Sequence, residues 1–119
     1  MIFEVRGNSL AGILDPGTEV KLLNRPIERN DIIVFRLGNQ LVIKRIVAIP
    51  GETLDCERTL ILNGLDTKLD PGILKLYWQE SSIIPESCYV VLGTQPNSKD
   101  SRMIGYVHMS DILGPVSPI

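Results

Sequence analysis

Leu41-Val42-Ile43-Lys44-Arg45-Ile46-Val47-Ala48-Ile49-Pro50-Gly51 decides the fold. β-Branched and aliphatic residues run through it almost unbroken, and Pro-Gly is a turn signal that stops it. The pattern predicts a β-strand. A run this apolar, with no polar alternation, predicts burial on both faces. Lys44 sits in its middle. An ammonium there loses hydration, which favours the neutral amine. A neutral amine is a usable general base near neutral pH. A lone strand lysine more often lays its stem along the surface and keeps its head in water. A second stretch, Arg6-Gly7-Asn8-Ser9-Leu10, shifts the balance by placing a serine close to a glycine. A serine hydroxyl is a weak nucleophile until a neighbouring base takes its proton, and Ser-Lys pairing is one solution.

Outward from this stretch, short strand signals follow one another. Gly38-Asn39 is a hairpin signal joining the Lys44 strand to Ile32-Ile33-Val34-Phe35-Arg36, which starts after the turn Arg29-Asn30-Asp31. Residues 19–23 read as a strand broken by Asn24-Arg25-Pro26, and Leu14-Asp15-Pro16-Gly17 as a turn. Residues 2–6 alternate as a short strand, and residues 7–12 read as a loop or a first helical turn carrying Ser9. Beyond Gly51, residues 59–64 predict a strand, and residues 66–82 a further ribbon or loop. Residues 87–93 predict a buried strand, 94–102 a polar loop and 104–108 a short strand. Residues 109–113 read as a last turn or strand, and 115–119 as a tail. Strand after strand at short spacing predicts an all-β fold. The chain reads as a single domain over 1–119, with a ribbon or loop excursion around 52–86.

Composition narrows the function. A chain of 119 residues with 44% hydrophobic residues can bury a real core. The net charge of −2, with no basic block, argues against nucleic acid. No apolar run is long enough to span a bilayer, and Met1-Ile2-Phe3-Glu4-Val5-Arg6 lacks the apolar core of a secretion signal. The expectation is a soluble, cytoplasmic protein. Cys56 and Cys88 are too few for a zinc motif, and His108 is the single histidine. Half-buried free thiols are expected, with no metal and no cofactor.

Four features occur in a telling order: a Gly-x-Ser near the start; Asp31-Ile32-Ile33-Val34-Phe35; Lys44 to Gly51; and Tyr89-Val90-Val91-Leu92-Gly93 followed by Ser98-Lys99-Asp100-Ser101-Arg102 and Ile104-Gly105-Tyr106-Val107. Together they resemble the type I signal peptidases, from about Phe3 to Gly114. The resemblance implies an all-β catalytic domain with the coiled β-sheet of signal peptidases and LexA-type domains. It implies a serine endopeptidase that removes a leader or signal segment from a precursor after small residues. By the resemblance, Ser9 is the nucleophile, Lys44 the general base and Ser98 the serine that orients the lysine amine. Arg45, Asp100 and Arg102 are structural support. The Ser9 backbone N–H belongs to the oxyanion hole. Where some members have a serine that adds a donor, this chain has Gly7. The substrate is expected as an extended strand beside the catalytic segments. Phe3, Val5, Gly7, Leu10, Leu14, Val42 and Ile43 match substrate-binding positions. Apolar strand residues are as a rule simply core, so only some of these are expected to touch the peptide.

This sequence departs from the family pattern at several points. Leu10 replaces the usual methionine, a volume-conserving change. Gly12-Ile13 replaces Pro-Thr, and Gly93-Thr94-Gln95 replaces Gly-Asp-Asn in a loop one residue short. Without a membrane segment, the resemblance leans towards relatives that trim a leader from a cytosolic precursor, such as maturation peptidases of nickel superoxide dismutase. Two other readings compete. A catalytically inactive relative would serve as a binding or assembly module, but it has no chemical need for both Ser9 and Lys44. A LexA-type self-cleaving domain needs an Ala-Gly bond upstream of its serine, whereas Ala11-Gly12 lies after Ser9.

Overall fold

The computed structural model describes residues 1–8, 10–54, 82–94 and 99–119, with Thr53, Leu54, Ser82 and Arg102 in backbone only. The central hairpin joins β3 (Ile32–Leu37) to β4 (Gln40–Ala48), with Leu37 opposite Gln40 and Ile33 opposite Lys44. Gly38 takes φ +60° at the first turn position, a conformation that glycine adopts without strain. At the far end of β4, the Glu52 N–H donates to the Ile49 carbonyl across Pro50-Gly51. Proline sets the first corner and Gly51, at φ +84°, the second, as in a type II turn.

β1 (Ile2–Glu4), β2 (Glu19–Leu22), β7 (Cys88–Leu92), β8 (Val107–His108) and β9 (Ile112–Pro118) join this hairpin in a seven-stranded sheet. Its order is β1-β2-β9-β3-β4-β7-β8, and every pairing is antiparallel. β5 (Thr53–Leu54) and β6 (Ser82–Ile83) form a separate two-stranded ribbon. The expected strand over 59–64 and most of the ribbon or loop over 66–82 lie outside the described residues, as does Cys56. Cys88 is a free, half-buried thiol.

Both faces of the central strands are buried. Along β3, Ile33 and Phe35 join a cluster with Ile46, Tyr89, Val91 and Val107. Val34, from the opposite face, joins Val5, Leu10, Leu14, Val20 and Val116. A strand covered on both sides needs no polar alternation, which is why the sequence around it reads as continuous apolar runs. Each fully buried aliphatic or aromatic side chain contributes about 1.5–3 kcal/mol. Three strands separate β1 from β4 in the sheet, yet Val5, just past β1, and Ile43 of β4 pack in the same cluster. The sheet therefore coils over itself.

Three expectations need correction. Residues 115–119 are no tail: β9 runs to Pro118 and lies inside the sheet between β2 and β3. Residues 94–102 are not all loop, because α1 (Ser101–Ile104) is one helical turn. The strand expected over 104–108 is confined to Val107–His108, followed by a 3₁₀ turn at Met109–Asp111. Among the described residues, no helix is long and apolar enough to cross a membrane.

Candidate active site

Lys44 is 4% exposed, although it lies on a strand that reaches the surface at Gln40 and Leu41. Its neighbours explain this. Ile33 stands opposite it on β3 at 0% exposure, and Ile43 packs into the cluster of Val5 and Leu10. Most of the Lys44 side chain is therefore covered by the strands around it.

Lys44 lines a groove of about 370 Å³. One wall is formed by Glu4 to Asn8 with Leu10, and the other by Leu41 to Lys44, with Lys99 also on the lining. The second wall is an available strand edge. β4 pairs with β3 through Gln40–Arg45, but its pairing with β7 begins only at Arg45. Among the described residues, Leu41, Val42 and Ile43 thus have a strand neighbour on one side only. An extended peptide can add there through main-chain hydrogen bonds.

Ser9 lies outside the described residues, but both its chain neighbours line the groove that holds Lys44. The residues that follow it, Leu10 to Leu14, form a turn closed on Leu10. The Ala11 N–H donates to Asn8 O, and the N–H groups of Ile13 and Leu14 donate to Leu10 O at 2.9 and 2.8 Å. Leu10 and Leu14 pin this turn to the core at 1% and 6% exposure. The Thr94 hydroxyl, from the loop after β7, donates to Ala11 O at 3.0 Å. The two loops assigned to the nucleophile and to the orienting serine are therefore tied together directly. That tie comes from Thr94, which stands where the family pattern has aspartate.

The second loop is anchored from beneath. Asp100 and Ser101 are both 0% exposed. The Asp100 carboxylate accepts the Gly93 N–H at 2.9 Å, and the Ser101 hydroxyl accepts the Val91 N–H at 2.8 Å. Register shifts between β4 and β7 past Ile46, beside Val91, and a side-chain oxygen meets the donor there. Ser101 thus acts on the backbone of β7, and Asp100 on that of Gly93 just past its end. In sequence, Ser101 is marked only by its place in the Ser98-Lys99-Asp100-Ser101-Arg102 pattern, which does not say that its hydroxyl serves Val91. Ser98 and the Arg102 side chain lie outside the described residues. Arg45, the other expected support, is half-buried on β4, opposite Ile32 and Leu92.

Of the expected substrate-binding residues, Val5, Gly7, Leu10, Val42 and Ile43 line the groove. Phe3 and Leu14 do not; both pack in the cluster behind it. Arg6, Glu4 and Lys99 are groove residues that no apolar pattern singles out, since charged residues in a strand or loop read as solvated.

Comparison with known proteins bears on the family and the fold. A curated relative, the inactive signal peptidase IA of Staphylococcus aureus (strain COL), is 27% identical over 95% of this chain and 74% of its own length. The signal peptidase I of Bacillus caldolyticus is 28% identical over 96% of this chain and 75% of its own. The crystal structure of a signal peptidase I from Enterococcus faecalis superposes with a TM-score of 0.55 at 27% identity, covering 78% of this chain and 98% of that one. The family model for signal peptidase, peptidase S26, matches residues 3–119. A coiled antiparallel sheet, a buried lysine beside an open strand edge and a match across nearly every residue lead to one assignment: the chain belongs to the signal peptidase family.

Proposed function

We propose that this chain is an active serine endopeptidase with a Ser9–Lys44 dyad, cleaving a leader or signal segment from a precursor after small residues. The observation that carries the reading is Lys44, 4% exposed, in a groove flanked by Asn8 and Leu10. Structural support alone does not require a lysine there, because an aliphatic residue would fill the site without desolvating an amine.

The chemistry follows from the residue types. The precursor lies extended along Leu41–Ile43, its carbonyl over Ser9. Neutral Lys44 takes the Ser9 hydroxyl proton as the oxygen attacks that carbonyl. The Ser9 backbone N–H helps hold the oxyanion. Lys44 then gives its proton to the leaving amine, and water releases the acyl group by the same steps. Ser98 orients the amine, while Asp100 and Ser101 hold its loop against β7.

The test is cleavage of extended peptides with small residues before the scissile bond, across pH. Ser9→Ala and Lys44→Ala should each abolish turnover, with the double variant no worse than either single one. Lys44→Arg should fail as well, because a guanidinium does not deprotonate in this range. Activity in wild type should rise with pH as the amine loses its proton. Full activity in Lys44→Ala would remove the mechanism. The name of the Staphylococcus aureus relative supports a second reading, an inactive module that binds peptides without cutting them. Wild type that binds such peptides and cleaves none would favour it.

A further inference from the structure

The charges on the groove walls point to a substrate class. The chain as a whole carries a net charge of −2. Its groove has the opposite balance: Arg6 and Lys99 outnumber Glu4, the one carboxylate on the described walls. Arg6 and Lys99 are both exposed. Elsewhere, Arg25 is spoken for by Asp31 at 2.8 Å, and the Arg29 Nε donates to Glu52 at 2.9 Å. Among the described residues, neither Arg6 nor Lys99 is in an ion pair. They approach the groove from different segments, Arg6 after β1 and Lys99 just before Asp100, whose burial fixes the backbone there. A concave site lined by one sign of charge concentrates ligands of the other sign.

We infer that the groove selects extended peptides carrying an acidic side chain within the segment it holds, with Lys99 and Arg6 as the specificity-determining residues. The inference names the substrate class of the proposed peptidase, and rests on that reading only for the groove being where the peptide lies. Small residues fill the apolar positions of the segment, and an aspartate or glutamate between them meets Lys99 or Arg6. The same pair would repel a precursor with a basic residue there, so the discrimination comes from attraction and repulsion together.

The experiment measures binding separately from cleavage. A fluorescently labelled extended peptide, with alanine at alternate positions, is made with Asp, Asn or Lys at each intervening position in turn. Its Kd is measured by anisotropy on full-length Ser9→Ala, alone and with Lys99→Gln, Lys99→Glu or Arg6→Gln added. Both cations are exposed, so these substitutions leave the core intact. In at least one position the Asp peptide should bind roughly three- to fivefold tighter than the Asn peptide, the range of a partly solvated ion pair. The preference should shrink as salt rises. Lys99→Gln or Arg6→Gln should reduce it, and Lys99→Glu should turn it towards the Lys peptide. Equal affinities at every position, no binding at all, or a preference that none of the three substitutions moves would each overturn the inference. Cleavage is scored on the wild-type chain. Charge-selective binding without cleavage refutes the peptidase reading alone, whereas cleavage indifferent to charge refutes only the selection.

Discussion

Ser101→Ala deletes the oxygen that accepts the Val91 N–H at 2.8 Å. Both residues are 0% exposed, so no bulk water reaches the donor that is left behind. An orphaned buried N–H costs about 1–3 kcal/mol, and removing one oxygen leaves a hole too small to add much. Taking about 2 kcal/mol, and about 3–5 °C per kcal/mol for a domain of this size, the midpoint of thermal unfolding should fall by about 6–10 °C. Asp100 still holds Gly93, so the fold should survive. Urea unfolding should show a lower midpoint at unchanged slope, the mark of lost stability without a changed unfolded state. Amide exchange at Val91 should accelerate beyond what the global loss explains, because the donor itself has been freed. Peptide cleavage should slow as well, since the same turn anchors the loop assigned to the orienting serine. A stability loss below about 0.5 kcal/mol, the range of an ordinary surface change, would refute the reasoning. It would mean that the Val91 N–H finds another acceptor.

Thr94→Val should lower kcat of the proposed cleavage more than it changes KM, because the lost bond to Ala11 O holds the nucleophile turn and not the peptide; Thr94→Ser should recover most of the rate, and a pure KM effect would tell against the tether. Arg25 donates to Asp31 and holds its carboxyl below the usual carboxylate range, helped by the Glu28 N–H. A depressed folded pKa contributes stability that is present above the unfolded value of about 3.9 and lost as pH falls through the folded value. Asp31→Asn should therefore flatten the acid limb of a stability–pH curve and change little below it; an unchanged acid limb would show that the pair contributes nothing. Gly51→Ala should cost about 1 kcal/mol by urea unfolding, since alanine is strained at φ +84° although nothing among the described residues stands within 4 Å of its Cβ; no loss would mean that the turn has relaxed to another type.

Much of the sheet was legible without coordinates because β3, β4 and β7 are defined by local chemistry. Their β-branched runs do not alternate, and each is bounded by residues that suit turns, such as Gly38, Pro50 and Gly51. The covering of Lys44 was legible in part, since the strand that carries it, with Ile43, Ile46 and Val47, reads as apolar on both faces. β9 was not legible. Gly114, Pro115 and Pro118 break the local pattern, and proline removes a ladder donor, which ordinarily argues against a strand inside a sheet. Pro115 is accommodated opposite Ile33 by contributing its carbonyl, which accepts the Leu23 N–H at 2.8 Å. β9 also changes register against β3 between Val34 and Phe35. The sequence by itself determined which segments are extended and which residues carry reactive groups, because propensity, turn chemistry and hydrophobic pattern act over a few neighbouring residues. Only the tertiary structure decided that β9 enters between β2 and β3, that the sheet coils until the segment after β1 faces β4 across a groove, and that Ser101 serves Val91 rather than solvent. Those outcomes depend on contacts between residues distant in sequence, whose free energies add up only once the whole sheet has closed on its two apolar faces.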